Sequence, residues 1–201
     1  MKRAGLVLEG GANRGVFTSG ALDYLMERDI YFSDVTGVSA GSCNAVGYVA
    51  KQPERTKKCM IHRGKEYNYY YGLKGFIKER SILDMDMIFD KMPNSLIPLD
   101  FDAYFHSGVH CEIVTTNCIT GKAEYLTEDS DPQRLMMMCR ASSSMPLVCP
   151  IVNVDGIPYL DGGLADSVPI KHVKARGAEK IVIILTRKKG YRKEKISKAY
   201  I

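Results

Sequence analysis

Two residues in this sequence have the flanks that covalent chemistry requires: Ser39, inside Gly37-Val38-Ser39-Ala40-Gly41, and Asp161, followed by Gly162 and Gly163. A serine hydroxyl becomes a nucleophile when a sharp strand-to-helix turn presents it beside a base. Side chains two before and two after such a serine would run into neighbouring segments, so only hydrogen fits at positions 37 and 41. The pattern by itself is weak, since with Gly and Ser each near ~7% of residues a chain of this length holds one by accident roughly one time in fifteen. Its context is what counts. Residues 31–36 are β-branched and aromatic, and residues 40–51 lack proline and are mostly small or apolar, which predicts strand, turn and helix in that order.

The serine proton needs an acceptor, and the usual one is a histidine oriented by a carboxylate. The four histidines do not fit that scheme: His62 falls in a predicted helical stretch, His106 and His110 flank a strand start, and His172 sits in a helix after Pro169. Each reads as an ordinary polar or core residue. Asp161 is the best-placed base, because it ends a predicted strand and its two following glycines let another backbone, or a substrate, come close.

The elements that must position these residues follow from periodicity. Residues 4–9 read as a buried strand, then comes Gly10-Gly11-Ala12-Asn13-Arg14-Gly15, then a helix over 16–28 with Val16, Phe17, Ala21, Leu22, Leu25 and Met26 as its apolar positions. Strand, loop, helix, strand, turn, helix predicts an α/β fold with a parallel sheet and the site at the carboxyl ends of its strands. Between Pro53 and Ser107 a helix is expected over 54–71, carrying Tyr67, Tyr69, Tyr70 and Tyr71, and another over 84–91, after which Pro93 and Pro98 break the chain. A packed helical layer with exposed tyrosine hydroxyls is favoured there over a lid. Strands are expected at 109–117 and 122–126, a short methionine-bearing helix at 132–139, and a small-residue turn at 140–146. A hairpin of 151–154 with 157–160 across Asp155-Gly156 delivers Asp161. A helix from Pro169 to Arg176, capped by Gly177, leads to a last strand at 180–185.

With 201 residues, 45% hydrophobic and 25% charged, the chain suits one domain with a sizeable core, taken as residues 1–186, followed by a basic segment at 187–201. The net charge of +5 is modest and gives no reason to expect a nucleic-acid partner. In the basic segment a solvated tail is the bland reading, and peripheral contact with an anionic membrane the sharper one. Six cysteines without a C-x-x-C pair read as buried free thiols, and no metal is expected. The apolar run near the N-terminus is too short for a signal-peptide core and no other approaches the ~18 residues of a membrane span. The expected location is cytoplasmic, with membranes touched from the side. The sequence stops at Ile201 without a closing element, as a fragment of something longer would.

Three blocks in this order, Gly10 to Gly15, Gly37 to Gly41, and Asp161-Gly162-Gly163, resemble the glycine-rich oxyanion loop, the nucleophile motif and the Asp-Gly-Gly motif of the patatin-like phospholipase family. The turn ending in Pro146 is similar to the segment that precedes that aspartate. The resemblance implies a three-layer α/β/α fold with a mostly parallel central sheet, and hydrolysis of lipid or other carboxylic esters by a Ser39-Asp161 dyad without histidine, metal or cofactor. By the same resemblance, backbone N–H groups of Gly10, Gly11 and Ala12 would hold the oxyanion, Asn13, Arg14 and Gly15 would support that loop, and Asp161 would need a dry pocket to be basic enough. Ala12 stands where the family often has glycine and would be strained if its φ is positive, and Glu9 stands where aspartate is common. Phospholipid, lysophospholipid and acylglycerol stay open as substrates, as does transfer of the acyl group to an acceptor other than water, and no protein partner is implied. The rival readings are a non-catalytic lipid- or partner-binding module on the same scaffold and a Rossmann-type dinucleotide site; the latter is opposed by Ala12 where that fingerprint wants its second glycine.

Overall fold

The computed structural model describes residues 4–61, 64–72, 76–77 and 81–192. The first strand, β1 (Ala4–Leu8), has no charged residue and is almost wholly buried, as a strand covered on both faces must be. It is joined by β2 (Asp34–Val38), β3 (His110–Asn117), β4 (Ala123–Leu126), β5 (Val152–Val154), β6 (Ile157–Asp161) and β7 (Lys180–Ile184) in one seven-stranded sheet. Pairing follows the path β5-β6-β3-β2-β1-β7, with β4 also on β3. Strands β7, β1, β2 and β3 are mutually parallel; β4 and β6 run antiparallel to β3, and β5 to β6.

Helices cover both faces: α1 (Gly15–Met26), α2 (Ala40–Val49), α3 (Arg55–Met60), α4 (Phe101–Phe105), α5 (Pro132–Ser142) and α6 (Ile170–Ala175). Successive strand residues point to opposite faces. In β1, Leu6 and Leu8 enter the main core with Ala45 and Val46 of α2 and Leu135 and Met138 of α5. Gly5, on the other face, lies under α6, where a Cβ would come 2.6 Å from Val173 Cγ1. The architecture is the mixed α/β one expected, a mostly parallel sheet flanked by helices. Among the described residues no helix is long and apolar enough to cross a membrane.

Local signals are visible where helices start and strands turn. Asp131 caps α5, its carboxylate accepting from the amides of Gln133 and Arg134. Positive φ at Asp155 and Gly156 makes the β5–β6 turn of the kind that matches strand twist.

The region between Pro53 and Ser107 departs from expectation. Helix α3 ends at Met60, a 3₁₀ turn covers Lys65–Tyr67, and Tyr70 pairs antiparallel with Leu83, so the helix expected over 54–71 is mostly something else. A run of tyrosines gains more from extended pairing than from helix. Tyr69 is buried, whereas Tyr70 and Tyr71 are exposed. His62 lies outside the described residues. The second helix does not stop before Pro93: Met87–Leu96 is a π-helix with Pro93 inside it. Pro93 has no N–H to donate in either register, and the helix carries it in a widened π turn instead of ending before it.

Smaller corrections also have physical reasons. Phe17 is 67% exposed, because the buried face of α1 is Gly15, Thr18, Ser19, Leu22 and Met26. Small residues are needed there: a Cβ on Gly15 would come 3.1 Å from Cβ of Ala40 in α2. Strand β2 starts three residues later than expected and reaches Val38, so it ends against Ser39 itself. Of the cysteines, all free, Cys111, Cys139 and Cys149 are buried, Cys43 and Cys59 half-buried, and Cys118 exposed on the β3–β4 turn.

Candidate active site

Strand β3 brings the two ends of the chain's chemistry together. Ile113 and Val114 pair with both β2 and β4, so those two strands lie on opposite edges of β3. Thr115 and Thr116 pair with both β4 and β6, so β6 lies opposite β4 and shares the edge that β2 occupies. Strand β2 fills that edge up to Val38↔Val114 and β6 takes it over at Asp161↔Thr115. Ser39 leaves the end of one strand where Asp161 closes the end of the other.

Ser39 has φ 54° and ψ −125°, a conformation L-residues avoid. Several contacts hold it there. Its N–H donates to Ser142 Oγ at 2.8 Å, and that hydroxyl donates to the Val114 carbonyl at 2.6 Å. Its carbonyl accepts from both the amide and the hydroxyl of Ser42. The flanking glycines are required by space: a Cβ on Gly37 would lie 2.6 Å from the Gly41 carbonyl oxygen, and one on Gly41 would strike the carbonyl of Leu8. Gly10 is equally confined, 2.8 Å from Ser39 Cβ if it had a side chain.

Ser39 Oγ donates to Asp161 Oδ2 at 2.6 Å, and Asp161 Oδ1 accepts from the amide of Gly163 at 2.8 Å. Behind the carboxylate, Asp161 N–H donates to Ser144 O and Thr116 Oγ1 donates to Asp161 O. Gly162 admits no side chain, since a Cβ there would overlap the Val114 carbonyl. Ser39 and Asp161 are 8% and 6% exposed. Burial pushes the Asp161 carboxyl above its ordinary range, and the hydrogen bonds from Ser39 and Gly163 offset only part of that. A carboxylate made more basic and already bonded to a hydroxyl can take its proton.

The glycine loop lies beside this pair. Gly11 has φ 153° and Ala12 φ 48°, so Ala12 carries the strain anticipated for it. A 3₁₀ turn over Ala12–Arg14 leads into α1 at Gly15. Thr186, just past β7, donates from its hydroxyl to the Gly10 carbonyl at 2.5 Å and from its amide to Glu9 at 2.6 Å. The longer carboxylate at position 9 is thus used to bind the far end of the chain. Arg14 lies against Gly11, and Asn13 Oδ1 accepts from Tyr70 OH at 3.0 Å.

Ser39 and Ala12 open onto a cleft of about 130 Å³ between α2, α3, the π-helix and α5. Its walls are apolar and rich in sulfur: Cys43, Cys59, Met60, Met85, Met92, Met136 and Met145, with Tyr69, Leu83 and Phe89. The guanidinium of Arg55 borders it but bonds to the carbonyls of Ile97 and Pro98.

Two features carry no motif and escaped sequence reasoning. One is Ser142, fully buried, which pins the Ser39 amide; three serines before Met145-Pro146 were its only trace. The other is Glu112 in β3, which accepts from Thr36 Oγ1, His172 Nε2 and Arg176, with His110 Nε2 at 3.4 Å. Tyr125 stacks on the His172 ring with centroids 3.4 Å apart and donates to Asp166. Burial would raise the Glu112 carboxyl, but the bonds and charges of His172 and Arg176 outweigh it and hold the group below its ordinary value. A glutamate amid an apolar strand was the available signal. Among the described residues no group of three or more His, Cys, Asp or Glu could hold a metal ion.

A family model of patatin-like phospholipases matches residues 6–174. The chain is 30% identical over 191 residues to the uncharacterized protein YjjU of Escherichia coli (strain K12), a match covering 92% of this chain and 52% of that protein. Among solved structures it matches VipD from Legionella pneumophila with a TM-score of 0.51 and 16% identity, over 91% of this chain and 49% of the other. At that identity the likeness is one of fold. The chain spans about half the length of both proteins.

Proposed function

The chain belongs to the patatin-like phospholipase family, and on that premise we propose that it is a lipid acyl hydrolase in which Ser39 and Asp161 are the catalytic dyad. The observation that carries the reading is the 2.6 Å hydrogen bond between them at the end of an apolar cleft. Ser39 Oγ attacks the ester carbonyl carbon while Asp161 takes the hydroxyl proton. Backbone N–H groups of Gly10, Gly11 and Ala12 meet the developing oxyanion; one such donor is worth about 3 kcal/mol. Collapse of the intermediate expels the alcohol, which receives the proton back from Asp161, and the acyl group stays on Ser39. A water deprotonated by Asp161 then attacks the acyl carbon, the bond to Ser39 Oγ breaks, and Asp161 returns the proton to Ser39 Oγ as the carboxylic acid leaves. The pinned turn keeps Ser39 aligned through both steps, and Asn13, Arg14 and Gly15 hold the loop against it.

The cleft suits the acyl chain. Its methionines are unbranched and polarizable, able to fit chains of differing length and kink. Phospholipid, lysophospholipid and acylglycerol share that chain, so the class of substrate is a long- or medium-chain ester, approached from a membrane surface.

The test is hydrolysis of a medium-chain p-nitrophenyl ester by the unmodified chain, Ser39→Ala and Asp161→Asn, with intact-mass detection of a fluorophosphonate adduct. Turnover lost in both variants and an adduct on Ser39 support the dyad. Activity surviving in Ser39→Ala removes it.

A further inference from the structure

We infer that the exposed apolar surface of Tyr71, Ile82 and Leu147, with the basic flank of α3, docks this protein on an anionic lipid bilayer and sets the cleft mouth against it. The inference rests on the lipid reading above but not on the identity of the nucleophile.

Three backbones lie side by side at this place. Ile82 N–H donates to Val148 O and Tyr71 N–H donates to Ile82 O, both at 2.9 Å. Adjacent backbones in such pairing are about 4.8 Å apart, so Tyr71, Ile82 and Leu147 make one patch. All three side chains are exposed. Within two residues of each along the chain stand Tyr69, Leu83 and Met145, which line the cleft. The patch therefore rims the entrance to the pocket that holds Ser39.

Leu147 is the most telling member. It is 90% exposed and has φ 65°, a left-handed conformation that costs a leucine energy and brings its side chain almost no contact. A hydrocarbon phase would cover it. The same loop carries Ser143 and Met145 in the cleft wall and Ser144 O, which accepts from Asp161 N–H, so a bilayer seated on Leu147 lies next to the reacting pair.

Charge decides between lipid and a second protein. Between Lys51 and Ile77 the described residues hold five Lys and Arg against two Glu. In α3, which borders the cleft, Lys57 and Lys58 are exposed and share the single carboxylate of Glu54. Exposed aliphatic and tyrosine side chains beside surplus lysine are what an interfacial surface offers anionic headgroups.

The sequence has no tryptophan, so a single introduced one reports its own surroundings. In a Ser39→Ala background, Leu147→Trp fluorescence is measured as vesicles of phosphatidylglycerol and phosphatidylcholine in equal parts are added. Ile30→Trp, exposed just before β2 and so at the opposite end of the strands from Ser39, is the comparison. A blue shift in Leu147→Trp and none in Ile30→Trp is expected, along with vesicle affinity about tenfold lower for Leu147→Asn in co-sedimentation. Asparagine tolerates the left-handed backbone, so that variant should melt no lower than its parent. Raised salt should weaken binding, and neutral vesicles should bind less. Equal affinity for Leu147→Asn and its parent would overturn the surface. So would loss of binding only when the lysines and arginines of 187–201 are neutralised, or a concentration-dependent dimer that Leu147→Asn abolishes. Since Ser39 is already replaced, none of these outcomes depends on whether the chain hydrolyses esters.

Discussion

Two carboxylates are buried to nearly the same degree on or beside β3, and their surroundings drive them in opposite directions. Glu112 is met by His172, His110, Arg176 and Thr36, and stays ionised to lower pH than a free glutamate. Asp161 is met by one hydroxyl and one amide, with no cation against it among the described residues, and is pushed up. Burial alone says nothing about what a carboxylate is for; the charge of its partners does. A glutamate matched by cations is locked and holds β3, β2 and α6 together, whereas an aspartate held only by neutral donors keeps the capacity to accept a proton.

The contrast breaks first, if it is wrong, at the two carboxylates themselves. Asp161→Asn is expected to lower kcat on a soluble ester by about 10⁴-fold while the melting temperature holds or rises, since a buried uncompensated charge has been removed. Glu112→Gln is expected to do the reverse: about 3 kcal/mol lost in urea unfolding, because His172 and Arg176 are left without their anion, with kcat per folded molecule nearly unchanged. Loss of activity in both, or of stability in both, would merge the two roles.

Their pH dependence separates them further. The acid limb of kcat/KM should lie above the ~3.9 of a free aspartate, because Asp161 must be ionised to act. For stability, the raised Asp161 contributes most below its unfolded pKa, and that contribution is lost as pH rises through its folded value. The depressed Glu112 contributes above its unfolded pKa near ~4.3, and that is lost as pH falls through its folded value. Denaturation curves from pH 3 to 7, roughly the window these directions bracket, should show the first trend vanish in Asp161→Asn and the second in Glu112→Gln. The smallest effect is expected of His172→Ala, about 1 kcal/mol of stability and no change in kcat. A His172→Ala protein as inactive as Ser39→Ala would move histidine into the chemistry.

The three glycine-flanked blocks were legible because the constraint there is local. Gly37, Gly41 and Gly162 are demanded by carbonyls that leave no room for a Cβ, and that demand is written at one position each. The strands were legible from apolar runs and turn residues. Glu112 was not, because its partners come from three separate segments and no spacing links residues 36, 112, 172 and 176. Ser142 was hidden in the same way, its two bonds reaching 103 and 28 residues away. The stretch 54–71 was misjudged because helical composition up to Met60 gives way to tyrosines whose pairing with residues 82 and 83 only the fold supplies.

The shared edge of β3 has a consequence for how the protein is made. Ser39 and Asp161 are 122 residues apart, and β6 needs β3 to pair with. At ribosomal speeds of about 5–20 residues per second, Ser39 is out roughly 10 s before Asp161 is synthesised. On the proposed assignment the nascent chain carries an idle serine through that interval, and competence to cut lipid waits for the β5–β6 hairpin to join a β3 already synthesised.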